Sequence, residues 1–584
     1  MCRACVSSLI TDKLTFGVAP AAANRRQFMA YAVTATAAAM TAPRKANAAD
    51  GAEVIFRNGT IIPMTAARHA VEALAIGGGK ILGVGSALDV SALGHSATRI
   101  VDLKGRTLLP GFIDPHHHTC LSALFADLLV DVGYTKYAER RAMIAALKSV
   151  VVQTPPGQWV SAGNFDNLLQ GGDLSMQELD EISTTHPIFV LYVNGHAAAA
   201  NSMAFTLANI PDGVGDLPGG GRFGRGPDGK LNGRIYEEPA LARFLAVAIP
   251  AITPEMMAKA LVSYTNRVAA VGNTTLHEPG TVKPEWIEPL AKLSNTLATR
   301  LSASFSADAI EASQAFAALR AGAKARKIPD SRLSLYGIKF WADGSNQTET
   351  AAQTRPYLHT TRKGATNFAE TRMAQMCRAA KDAGWPIMIH CHGDAAIDAA
   401  LDAIESTYGA NAATGLNRIE HATMARSDQL DRMKRLGVEP SFHPNLLLLY
   451  GAAYRDRIFG PERAKFMVPA GACAKAGIPF TLHTDAPASP IGPLRLVQTA
   501  LTRRCEIDNS VIGPDQAVTL DAALNAITIN AARQIGLEET IGTLEKGKAA
   551  DLTILESDPY KTHPEKIMAI KVSETWVEGE RKFG

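Results

Sequence analysis

Between Phe112 and Asp485, short apolar runs alternate with stretches of helical periodicity. Residues 254–271 show the helical grammar well. Thr253 can cap, Pro254 stands at the first helical position, Glu255 lies in the first turn, and Gly272 closes the segment. Met257, Leu261, Tyr264, Val268 and Val271 recur at spacings of four and three, which makes one apolar face. Eight apolar runs read as buried strands, ending near His116, His277, Phe305, Phe340, His390, His421, Phe442 and Asp485. Alternation of this length predicts an α/β fold, a (β/α)8 TIM-type barrel with a parallel sheet, over residues 110–535. A further strand, Ile188–Val193, falls inside a long segment from about 119 to 253, read as an insertion after the first barrel strand.

The two ends of the chain are patterned differently. Glu53–Phe56 and Thr60–Ile62 flank an Asn58-Gly59 turn, and Ala73–Ile76 and Ile81–Val84 flank the glycines at 77–79. Arg99–Asp102 adds another short strand, and Ala550–Leu555 and Ser573–Val577 return to the same style at the other end. This predicts a small β-sandwich domain built from both termini, residues 49–109 and 536–584.

Composition adds little to the fold but narrows the function. Of 584 residues, 47% are apolar and 20% charged, ordinary globular usage that excludes a mainly disordered chain. The net charge is +3 with no basic stripe, so a nucleic-acid partner is not expected. Residues 1–48 read as a removable leader: Arg25-Arg26-Gln27-Phe28-Met29, an alanine-rich stretch from Ala30 to Ala42, then Ala46-Asn47-Ala48 as a cleavage site. They resemble a twin-arginine (Tat) signal, so a periplasmic or secreted protein is expected, exported already folded. The apolar stretch is too short for a membrane span, which takes about 20 residues. Past the leader, Cys120, Cys377, Cys391, Cys473 and Cys505 stand singly with no CxxC pair, so neither a disulfide scaffold nor a structural zinc knuckle is indicated.

The chemistry lies at the strand ends. Gly111–His118 is an apolar run ending in three histidines, and in a strand His116 and His118 would face the same way. Trp385–His390 and Arg418–His421 also end in histidine, Phe480–Asp485 brings an aspartate, and Leu335–Phe340 carries Lys339 in an apolar run. At the C-terminal ends of barrel strands these groups would converge. Imidazole is the commonest ligand of divalent transition metals, so the set points to a metal centre.

These motifs resemble the amidohydrolase superfamily, specifically the branch called amidohydrolase family 3 or YtcJ-like. The matching pieces are Pro110–His118, Trp159–Asp166, Gly195–Ser202, Gly337–Ser345, His390–Ala395, Ile419-Glu420-His421, Thr484–Pro487 and Asn530–Leu552. The resemblance implies a metal set of His116, His118, Lys339, His390, His421 and Asp485. Lys339 is implied as a carboxylated bridge between two ions, and Asp485 also as the general base. It implies a divalent cofactor, Zn2+ by default, as one ion or two. His196, in Asn194-Gly195-His196, resembles a substrate-facing histidine of the family; Asp343, His443 and His277 are weaker candidates for substrate contact or support.

The implied activity is hydrolysis of an amide-type C–N bond in a small molecule, linear N-acyl or N-formyl amide or cyclic amide, by metal-activated hydroxide. Ester, carbamate or lactone hydrolysis by the same centre is the alternative. A non-catalytic metal- or ligand-binding barrel is disfavoured by the presence of Asp485. A homo-oligomer is compatible with the sequence. Four departures from the family pattern stand out. His392 replaces a commoner apolar residue, His483 precedes Thr484-Asp485 where glycine-serine is usual, Asn346-Gln347-Thr348-Glu349 follows Asp343-Gly344-Ser345 in place of a small-and-arginine run, and Ala197–Ala200 replaces bulkier residues. The glycines from 219 to 226 read as a flexible lid in the insertion.

Overall fold

The computed structural model describes residues 51–65, 70–218, 221–310, 326–409 and 416–584. The expected export leader, residues 1–48, lies outside the described residues. The chain divides into two compact units. One holds His118–Tyr264 and Asp485–Pro490; the other holds the described residues up to His117, Thr265–Thr484 and Ile491–Gly584.

The larger unit contains the barrel. Its strands are β1 (Phe112–Asp114), β2 (Asn273–Glu278), β3 (Arg300–Ser306), β4 (Leu333–Trp341), β5 (Ile387–Cys391), β6 (Arg418–His421), β7 (Glu439–Phe442) and β8 (Thr481–Leu482). They pair side by side in that order, all parallel, with Arg326–Lys327 added antiparallel on β4. Thr484 crosses the seam between the two ends of the sheet, its hydroxyl donating to Asp114 Oδ2 at 2.5 Å. This is the nearly closed (β/α)8 barrel that the alternating pattern predicts.

Strands from both ends of the chain join beside it in one eight-stranded sheet. Leu552–Leu555 pairs antiparallel with Thr107–Pro110, which pairs with Ala52–Ile61. Side-chain alternation puts Val54, Phe56, Leu74, Ile76, Leu552, Ile554 and Trp576 into one core and Ile55, Ala73 and Ala75 into a smaller one on the other face. The expected sandwich is thus one continuous hydrogen-bonded sheet with a core on each face.

The smaller unit is more elaborate than its sequence suggests. It has a six-stranded sheet, ordered Arg222–Arg225, Leu231–Tyr236, Ala197–Ala200, Ile188–Tyr192, Val160–Phe165 and Val130–Asp131. The helix Arg140–Gln153 buries Met143 and Leu147 in a core with Val160, Ala162, Ile188 and Val190. Part of the expected glycine-rich lid is a strand instead: Arg222–Arg225 pairs antiparallel with Leu231–Tyr236, while Gly219 and Gly220 lie outside the described residues. The five described cysteines are buried. Among the described residues, no helix is long and apolar enough to cross a membrane.

Candidate active site

Pairing register decides which side chains fill the barrel. Trp341 pairs with His390, His390 with Glu420, Glu420 with Ser441, and Ser441 with Thr481, so these residues share one layer. Met388, Arg418 and Glu439 form the layer beneath. The barrel is therefore filled partly by polar groups, and each needs partners. Arg418 Nε donates to Glu420 Oε1 at 2.5 Å, and its other nitrogens donate to the carbonyls of Pro115 and Gln534. Burial alone would raise the Glu420 carboxyl, but Arg418 and His116 hold it well below the usual carboxylate range.

Above this layer the histidines gather. His116 Nδ1 donates to Glu420 Oε2 at 2.7 Å, which fixes the ring and directs Nε2 away from the carboxylate. His483 Nδ1 lies 2.8 Å from Ser441 Oγ, and its Nε2 faces His421 Nδ1 at 3.1 Å. His392 Nδ1 lies 2.8 Å from Thr423 Oγ1, and His390 Nε2 donates to the Gly344 carbonyl at 3.1 Å. Two trios result, His116–His421–His483 and His390–His392–His421, each with ligand atoms within 4.8 Å of one another. His443 lies close by, with ring centroids 5.4 Å from His483 and 6.2 Å from His421.

Strand alternation would send His421 to the outside of the barrel, since its neighbour Glu420 points in. Its backbone instead takes the left-handed conformation, φ +65°, followed by Ala422 at +42°. Such strain in a residue with a Cβ clusters at functional sites, and here it brings the ring into the cluster. The expected alternation of His116 and His118 is corrected: β1 ends at Asp114, so neither lies in a strand, and His118 stands at the N-cap of the helix Thr119–Leu128.

Lys339 is fully buried on β4, with Nζ 5.0 Å from the Trp341 ring centroid. Gly280 makes room for it: a Cβ there would stand 2.6 Å from Lys339 Cβ. Asp343 serves as a backbone anchor, accepting N–H bonds from Ala352, His392 and Gly393; burial still pushes its carboxyl up to about 7. His277 is buried, with Nδ1 on Ser302 Oγ at 2.9 Å, and burial depresses its basicity well below that of a free imidazole.

The smaller unit holds the remaining candidates. His118 Nε2 lies 3.4 Å from Asp485 Oδ1, and the His118 N–H donates to the Ala486 carbonyl. By chain connection His118 follows His116-His117 directly, and Asp485 follows His483-Thr484. His196 sits in a bend with Nδ1 3.1 Å from Glu237 Oε2, and its carbonyl accepts the Glu237 N–H.

The family model described as "Amidohydrolase family" matches residues 99–583. The chain belongs to this family. The amidohydrolase is 28% identical over 541 residues to the N-substituted formamide deformylase of Arthrobacter pascens, covering 91% of this chain and 98% of that protein. It is 27% identical over 543 residues to the protein LONG AFTER FAR-RED 3 of Arabidopsis thaliana, covering 91% and 92% of the two chains. Among solved structures, an uncharacterized metal-dependent hydrolase from Pyrococcus horikoshii OT3 superposes with a TM-score of 0.69 at 24% identity, over 88% of this chain and 99% of the other. The chain is thus a metal-dependent hydrolase acting on amide-type C–N bonds.

The donor set suits that chemistry. Imidazole trios fit a divalent transition metal and fit magnesium or calcium poorly. Four residues with clear work in the amidohydrolase had no role assigned from sequence: Arg418, Glu420, Thr423 and Ser441. Glu420 lies within a matched motif, and its contact with His116, far away in the chain, is seen only in the folded structure.

Proposed function

We propose that the amidohydrolase cleaves N-substituted formamides, taking up water and releasing formate and an amine. The observation that carries the metal chemistry is the convergence of buried imidazoles on His421 from four other strand ends. The choice of substrate rests on the similarity to the formamide deformylase along nearly the whole of both chains.

His116, His118, Lys339, His390, His421 and Asp485 are the proposed ligands, with zinc as the ion and one or two bound. An ammonium repels a dication, so Lys339 would ligate as a neutral amine or as a carbamate, and the two oxygens of a carbamate would suit two ions. A divalent ion held there would activate water near neutral pH and polarise the scissile carbonyl. Asp485 accepts the proton of the attacking water and delivers it to the departing nitrogen. His196, steadied by Glu237, binds the substrate's carbonyl end by donating a hydrogen bond. Glu420 keeps His116 in one tautomer, so that Nε2 is the nitrogen turned to the centre.

Formate release from an N-benzylformamide-type substrate, beside its N-acetyl counterpart, tests this reading. The formyl compound should turn over at least about 100-fold faster, a discrimination of about 2.7 kcal/mol. Equal rates of amine release from the two compounds, or no formate from the formamide, would reject it. Export is proposed on Arg25-Arg26 and Ala46–Ala48. Replacing both arginines by lysine should leave the uncleaved precursor inside the cell; continued appearance of mature protein outside would reject a twin-arginine route.

A further inference from the structure

We infer that His392 is itself a metal ligand, and that His390, His392 and His421 together hold one divalent ion on three imidazoles. The inference rests on the reading that this barrel binds divalent metal. It adds a residue outside the six proposed ligands, at a position where the family pattern has an apolar side chain more often.

Geometry brings the three rings together. Their ligand atoms lie within 4.8 Å of one another. Ring centroids are 4.8 Å apart for His390–His392, 4.6 Å for His390–His421 and 4.5 Å for His392–His421. Zinc–nitrogen bonds of about 2.0–2.1 Å need only a small inward movement from there.

The rings are also oriented for ligation. His390 directs Nε2 to the Gly344 carbonyl and so presents Nδ1. His392 directs Nδ1 to the buried Thr423 hydroxyl at 2.8 Å and so presents Nε2. A histidine whose second nitrogen is engaged by an oxygen is the usual arrangement of a metal-bound imidazole. The backbone behind His392 is pinned as well. Its N–H and that of Gly393 donate to Asp343 at 3.0 and 2.8 Å. A Cβ at Gly393 would stand 1.9 Å from the Ala352 carbonyl oxygen, so only glycine allows this approach.

Such a trio should discriminate among ions. Three imidazoles favour zinc, cobalt, nickel or copper over magnesium or manganese. It also makes this ion independent of the Lys339 carbamate.

Cobalt-loaded full-length protein tests the inference without reference to turnover. His392→Ala should weaken cobalt at one position by at least about 100-fold in chelator competition, and alter the visible absorption of the bound ion. Thr423→Val keeps the imidazole and loses its anchor; a loss of about tenfold is expected. Lys339→Ala should retain one cobalt with the wild-type spectrum of this position. Circular dichroism and thermal melting of the metal-free variants separate a lost ligand from a lost fold, and Thr423→Val carries the test if His392→Ala does not fold. Wild-type cobalt affinity and spectrum in a folded His392→Ala, or in Thr423→Val when that variant alone folds, would overturn the role of His392. Wild-type protein that binds no divalent ion would instead overturn the metal reading beneath it.

Discussion

His116 leans on a buried ion pair, whereas His392 and His483 lean on hydroxyl groups. On the first side, Arg418 and Glu420 are both fully buried, and Glu420 carries His116 with its second oxygen. On the other side, Thr423 and Ser441 each hold a ring through one neutral hydrogen bond. The energies differ in kind. Removing one partner of a buried pair strands the other charge and costs about 3–5 kcal/mol, while a neutral hydrogen bond contributes about 1 kcal/mol. Orientation of His116 is therefore tied to folding of the barrel. Orientation of His392 and His483 can change with little effect on the fold.

The largest expected effect is on the charged side. Arg418→Met should destabilise the protein by about 3–5 kcal/mol in urea unfolding, because Glu420 loses its principal countercharge and the Pro115 and Gln534 carbonyls lose donors. A loss below about 1 kcal/mol would erase the contrast between the two sides. Ser441→Ala should cost only about 1 kcal/mol of stability. If His483 takes part in holding metal, the same change should lower metal affinity by about tenfold. A stability loss as large as that of Arg418→Met would break the comparison from the other end.

Strand ends were legible because a histidine or aspartate closing an apolar run is conspicuous. The eight runs are found where the pattern places them, with β1 and β8 ending at Asp114 and Leu482, two and three residues before His116 and Asp485. The groups behind the histidines were not legible. Glu420, Ser441 and Thr481 come side by side only through the register of two strand pairs, which no single segment encodes. His421 was found by its motif, but the left-handed turn that brings it into the cluster leaves no mark in the sequence. In the smaller unit one strand of six was read. Ala197–Ala200 lacks the β-branched and aromatic residues that signal a strand, and Arg222–Arg225 is short and polar.

The central claim is that these imidazoles serve a metal-dependent C–N hydrolysis, and removal and return of the metal tests it most directly. Purified protein should contain one or two equivalents of a divalent transition metal. Dialysis against a strong chelator should abolish formate release from an N-substituted formamide, and zinc or cobalt should restore it while magnesium does not. Asp485→Asn should keep most of its metal and lose turnover by about 100-fold or more, the worth of a general base. Metal-free protein hydrolysing the formamide at the untreated rate would contradict the account.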